Sequence, residues 1–346
     1  MSRTVVTEKK SLSNDLISQQ RGVLMGISIL LIMVFHFTED CKTCHVNYHG
    51  VVQWFYTYIG SSSVDAFLFL SGLGLYYSMK KNHDIGAFYK RRLVKILIPY
   101  VLVALPTWIV LDLVIEKNGI VECIKDFAFV TMYSGTRLFW YIFLILLCYV
   151  IFPYIFHIVE SAKSEVEAEM WFLSMVSMIT VTIFLLKRYS GDIYHGYEIA
   201  LTRLPMFLAG CFYGRSSYEK RESYWKWGVI LAVSLLALMI LPTKMPILGR
   251  YIRGAFNISV CAMLAAGLSK VKLMPLKKIL EWFGTCSLEL YLVHVAVRRI
   301  MEEIGFPTCY LRNEIIMVVT AVFLAWILHL ICTRLSPVFM RQNPQK

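Results

Sequence analysis

The sequence predicts an all-α fold: a polytopic membrane helix bundle of about ten transmembrane helices with both termini in the cytoplasm. Three observations predict it. Apolar residues make up 58% of the 346 residues, above the roughly 45–50% of a soluble domain. Charged residues make up 17%, short of the roughly 25% that covers a water-facing surface. Apolar runs approaching the length of about 20 residues that crosses hydrocarbon recur along the whole chain. Disordered, fibrous and ordinary cytosolic classes are excluded.

In order, the runs lie at 22–38, 60–79, 95–115, 138–158, 170–186, 199–214, 227–241, 252–268, 284–299 and 315–333. The run at 199–214 is the weakest, being short and carrying Arg203 and Pro205. Residues 1–20 read as a polar cytoplasmic leader without a cleavage site, 21–335 as the membrane domain and 336–346 as a cytoplasmic tail. The net charge of +12 would suggest nucleic acid in a soluble protein; in a membrane protein, cytoplasmic loops rich in Lys and Arg account for it. Of the 35 cations, 21 fall on the termini and the loops that share their side, 12 on the alternate loops, and Lys95 and Arg203 inside runs. Glu160, Glu165, Glu167 and Glu169 make one loop of the first set acidic, but acidic residues weigh little in this rule. No internal repeat of the transporter kind is visible. The expected location is the cell membrane, as a multi-pass protein, with membrane lipids as neighbours and no nucleic-acid partner.

Cys41-x-x-Cys44-His45 has the spacing of a c-type haem attachment site, and with His49 the types of a zinc site. Either needs a folded cradle that so short a loop hardly offers. An ordinary loop or a Cys41–Cys44 disulfide is the better reading, and no metal is expected.

Ionisable groups in hydrocarbon cost several kcal/mol by most estimates, so each is a functional candidate. His36 follows Arg21 by 15 residues, about 22 Å along a helix, and so lies across most of the membrane from it. Asp65 sits at a similar depth in the second run. It is therefore the expected partner of His36, holding one imidazole nitrogen so that the other acts as a base. In the ninth run Tyr291 and His294 share a helix face, whereas Glu289 points about 140° away from His294. Asn257 and His329 are further buried polar candidates, with His329 reading as a packing residue near a helix end.

Six segments resemble, in order, those of the acyltransferase-3 family of integral membrane acyltransferases. RGVLMGISILLIMVFHF (21–37) is similar to the opening helix that ends in His. VDAFLFLSGLGLYY (64–77) resembles the Phe-rich second span, and FYKRRLVKILIPY (88–100) the basic entry to the third. LFWYIFLILLCYVIFPY (138–154) resembles the Trp-centred fourth span, RLPMFLAGCFYG (203–214) the Phe-x-x-Gly segment, and FGTCSLELYLVH (283–294) the late Ser-x-x-x-Tyr-Leu-x-His element. The resemblance implies transfer of an acyl group, usually acetyl, from cytoplasmic acyl-CoA to a hydroxyl of an extracytoplasmic or lipid-linked glycan, a modification of cell-envelope polysaccharide. It assigns the functional His to His36 and the Arg-x-x-Arg signature for CoA phosphates to Arg92 and Lys95. The family's first-span Arg falls on Met25, with Arg21 one turn earlier as its substitute. His36 acts as general base or as transient acyl carrier, with Asp65 as orienter. Ser71, Trp140, Glu289, Tyr291 and His294 are expected in the walls around the substrates. The rival reading is a glycan or lipid transporter or flippase without acyl transfer, which also needs many spans and buried polar groups.

Overall fold

A computed structural model describes residues 16–46, 48, 50–52, 63–219, 224–240, 246–271 and 274–340. The first fifteen residues of the leader, the end of the tail and His49 lie outside the described residues. All regular structure within them is helical. A short α1 (Leu16–Gln19) leads into α2 (Arg21–Thr43), α3 (Ser63–Lys81) and α4 (Ile85–Ile115). The amphipathic α5 (Ile120–Phe127) and a 3-10 turn (Val130–Ser134) precede α6 (Trp140–Ser161) and α7 (Glu165–Tyr189). Then come α8 (Gly191–Leu201), α9 (Leu204–Tyr218), α10 (Tyr224–Ile240), α11 (Pro246–Lys270), α12 (Met274–Thr285), α13 (Ser287–Glu303) and α14 (Leu311–Met340).

Among the described residues all ten predicted runs fall on helices, and six of these helices are long and apolar enough to cross a membrane. Two runs are divided. The run at 199–214 breaks at Thr202–Arg203, where Pro205 opens the first turn of α9, a position at which its missing N–H costs nothing. The run at 284–299 breaks at Cys286, between α12 and α13. Helix α4 begins ten residues earlier than its run at 95–115, because the Asp84 side chain accepts the Ala87 N–H at 3.0 Å and caps it. Polar α1 is not a free leader: Ile17 is fully buried. The last helix runs on to Met340, past the expected boundary at 335.

Only Ile183 is buried along α7, while Leu173, Met178, Val181 and Phe184 stand exposed. An apolar face of that extent suits lipid rather than water. The acidic loop that ran against the charge rule has local uses. Glu160 accepts from Lys80 Nζ at 2.6 Å and from the Tyr76 hydroxyl, and Glu165 and Glu167 occupy the first turn of α7, where the helix dipole favours acids.

The bundle is built around α2, which packs on α12, α3 and α13. The α2–α12 crossing is close enough to require glycine. A Cβ on Gly26 would stand 1.8 Å from the Leu280 carbonyl oxygen, and one on Gly284 would stand 2.0 Å from that of Gly22. Small residues spaced four apart let membrane helices approach in this way. The crossing fixes where α13, which follows α12 directly, sets its side chains against α2.

Candidate active site

Helices α2 and α13 bring His36 and His294 together. Nδ1 of His36 lies 3.1 Å from Nε2 of His294, and Nδ1 of His294 lies 3.1 Å from the Leu290 carbonyl oxygen. A carbonyl only accepts, so His294 Nδ1 carries a proton. In a neutral imidazole its Nε2 is then the acceptor, and His36 Nδ1–H is the donor. Nε2 of His36 is left with a free lone pair. The pair thus sets one tautomer at each ring, and His36 presents a base or nucleophile.

A second rung lies one turn further along both helices. Arg298 Nε donates to Asp40 Oδ2 at 2.7 Å, its Nη2 bonds the other Asp40 oxygen and reaches Glu39 at 3.3 Å, and the Thr308 hydroxyl donates to Asp40. Residues 36 and 40, like 294 and 298, are four apart and so stack on one helix face. A bidentate Arg–carboxylate pair is directional; it locks the relative rotation of the helices that carry the dyad.

Asp65 is not the partner of His36. Its carboxylate is buried and faces Arg203 Nε at 3.5 Å, with Arg250 and Arg253 beyond. A buried carboxylate needs a cation, and the break that places Arg203 at the start of α9 supplies one. The nitrogen of His36 that Asp65 was expected to hold is held by His294 instead. Lining one cavity together did not translate into contact.

Two cavities share part of their walls near the dyad. The first, about 1050 Å³, is lined by Arg21, Arg91, Arg92 and Lys95 and, deeper, by Ser71, Glu289 and Tyr291. Arg21 reaches across to α3: its Nε donates to the Leu70 carbonyl at 3.0 Å, and its guanidinium fills the space that a Cβ on Gly74 would take. Arg92 Nε is buried without a hydrogen-bond partner. Glu289 accepts from His329 Nδ1 at 3.0 Å, so His329, expected to be a packing residue, joins this wall. The second cavity, about 680 Å³, is lined by His36, Asp65, Trp140 and Arg298 among others. Ile32, Val64 and Tyr291 belong to both, so the cavities share a wall, and His36 lines the second of them. Trp140 stacks on Arg203, whose Cζ is 5.1 Å from the ring centroid. Tyr291 packs edge-on against Tyr141 at 5.3 Å.

Cys41 is buried in α2 with its thiol directed at the Cys309 carbonyl, 3.5 Å away; it and Cys44 are free thiols. Among the described residues no group of three or more His, Cys, Asp or Glu is arranged to hold a metal ion.

Sequence reasoning gave no site role to Asp40, Arg298, Arg137, Arg250 or Arg253, and noted Arg203 only as a cation inside an apolar run. The four-residue spacing of a cation and an acid from the two histidines was the available signal. In comparison with known proteins, an acyltransferase domain family matches residues 23–333. No curated protein and no solved structure matches the chain.

Proposed function

The chain belongs to the acyltransferase-3 family, and on that premise we propose that this membrane acyltransferase moves an acyl group, acetyl in the first instance, from cytoplasmic acyl-CoA to a glycan hydroxyl, with His36 as the reacting base. The observation that carries the reading is the His36–His294 pair, with His36 lining a cavity that shares Ile32, Val64 and Tyr291 with the basic one.

The first cavity suits the donor. Arg21, Arg91, Arg92 and Lys95 gather there, and the unpartnered Arg92 Nε is the kind of buried donor that a phosphate oxygen satisfies by a charge-assisted hydrogen bond. Bound acyl-CoA supplies an activated thioester carbon. The protein's part is to hold the phosphates at this basic mouth, so that the acyl end lies toward Ile32, Val64 and Tyr291. From the second cavity His36 Nε2 takes the acceptor hydroxyl proton as the hydroxyl oxygen bonds to the thioester carbon; the C–S bond then breaks and the CoA thiolate leaves with the proton held on Nε2, while His294 keeps the Nδ1 proton in place and the Asp40–Arg298 pair keeps the rings in register. Transient acylation of the same nitrogen is the covalent version of this chemistry.

The test uses the full chain in lipid nanodiscs, radiolabelled acetyl-CoA and a glycan and glycolipid extract from the cells that produce the protein. Label should pass to glycan as an ester, and His36→Ala should slow it by about 10²–10⁴, the usual worth of a general base. Absence of transfer to any fraction would refute the reading and favour a transporter. Label trapped on His36 without acceptor would select the covalent route.

A further inference from the structure

The second cavity carries far more positive charge than its own residues balance. Its walls hold Lys42, Arg137, Arg203, Arg250, Arg253 and Arg298 against two carboxylates, Glu39 and Asp65. Asp40 lies against Arg298, Glu302 also acts on Arg298, and Glu198 acts on Arg203 from outside the wall; counting all three still leaves six cations against five anions. The excess is local. Arg203 faces Asp65 and Arg298 faces Asp40 and Glu39, whereas Arg250 spends one nitrogen on the Thr202 hydroxyl at 2.7 Å and Arg253 one on the Gly249 carbonyl at 3.3 Å. Arg137 Nε is buried with no hydrogen-bond partner.

Like charges gathered on one cavity wall repel and focus a positive field outward, although Lys42 and Arg253 are exposed and Arg137 and Arg250 half-buried. Folding alone gives no return for that repulsion; an arriving anion does. Arginine is also the residue whose planar fork binds carboxylate and phosphate oxygens in pairs. The CoA phosphates have their own basic mouth in the first cavity, and His36 faces the second, so this charge serves the other substrate.

We infer that the acceptor is an anionic glycan, one that bears a carboxylate or phosphate close to the hydroxyl to be acylated, and that Arg137, Arg250 and Arg253 bind that anion. The inference rests on the proposed acyl transfer and names its acceptor class. It predicts that acceptor binding weakens as salt rises, because screening acts on partly exposed charges.

The experiment sorts the radiolabelled product of the nanodisc assay on an anion-exchange resin at neutral pH. Label should be retained. Carbodiimide reduction of carboxylates, or hydrofluoric acid cleavage of phosphodiesters, should then release it, and which treatment works distinguishes a uronate-type acceptor from a phosphate-bearing one. Arg137→Gln, Arg250→Gln and Arg253→Gln should each raise the acceptor KM about tenfold or more, in line with loss of a charge-assisted hydrogen bond, and leave the KM for acetyl-CoA unchanged. Ester label that flows through uncharged overturns the anionic acceptor while the acyltransferase reading stands. Arginine variants that raise the acetyl-CoA KM instead assign the cavity to the donor and also overturn it. No label in any fraction removes both readings.

Discussion

If His294 fixes the tautomer of His36, replacing it with Leu removes the acceptor of the Nδ1–H and leaves that donor facing an apolar side chain. An orphaned neutral donor costs about 1–3 kcal/mol, and because about 1.36 kcal/mol is tenfold in rate, kcat should fall roughly 5–150-fold. The loss should be in kcat, since neither ring is proposed to bind the CoA phosphates. His294→Gln keeps both bonds available: the amide N–H₂ can donate to the Leu290 carbonyl and the amide oxygen can accept from His36. It should therefore stay within a few-fold of wild type. In a His36→Ala background the Leu change should cost nothing further, because residues that act as a unit are non-additive. The assay is initial-rate transfer of radiolabelled acetyl at saturating donor, normalised to the monodisperse fraction of protein on size exclusion. Equal rates for His294→Leu and His294→Gln, or full additivity with His36→Ala, would refute the dyad.

At the mouth of the first cavity, Arg92→Ala and Lys95→Ala should each raise the acetyl-CoA KM about 10–100-fold with kcat little changed, the loss of one charge-assisted bond to a phosphate made equally in ground and transition states; steady-state kinetics separate the two constants. Outside the spans, burial raises the Asp126 carboxyl from an ordinary 3.8 to about 6, against the opposing bond from the Thr131 hydroxyl. The folded state therefore holds this proton more tightly than the unfolded one, so its contribution is present at low pH and is lost as pH rises through about 6. Amide exchange across 120–134 should speed up between about pH 4 and pH 6 after correction for intrinsic rates, and Asp126→Asn should abolish that dependence.

Apolar run length made the helices legible, because hydrocarbon leaves a backbone few alternatives to helix. The height of His36 above Arg21 along the unbroken α2 was legible for the same reason: rise per residue converts sequence distance into height. Rotation about the helix axis was legible within a helix, as for Glu289, which turns to His329 in the first cavity while His294 turns to His36. Rotation between helices was not. Asp65 and His36 line one cavity, yet which of two neighbours a side chain faces is set by crossings such as Gly26 on Leu280, and these depend on pairs of residues more than 250 positions apart. The breaks at Thr202–Arg203 and Cys286 escaped for a related reason. Each lies inside an apolar run whose average hides a local turn, and the first of them delivers the arginine that claims Asp65.

The cavities also bear on orientation. The loop-charge rule counts cations that stay with the cytoplasmic side during insertion, and its margin here is narrowed by twelve on the alternate loops. Five of those twelve, Lys42, Arg137, Arg250, Arg253 and Arg298, line the second cavity and so have a reason to be there that is unrelated to topology. Arg21, Arg91 and Arg92 of the opposite set line the first and should be set aside on the same ground. What is left is 18 cations against 7, a stronger bias in the same direction than 21 against 12. The charges that the proposed function accounts for are thus those that narrow the topological signal. On that proposal, setting them aside agrees with an Arg21 mouth facing the cytoplasm and the arginine-rich cavity with His36 facing the opposite side.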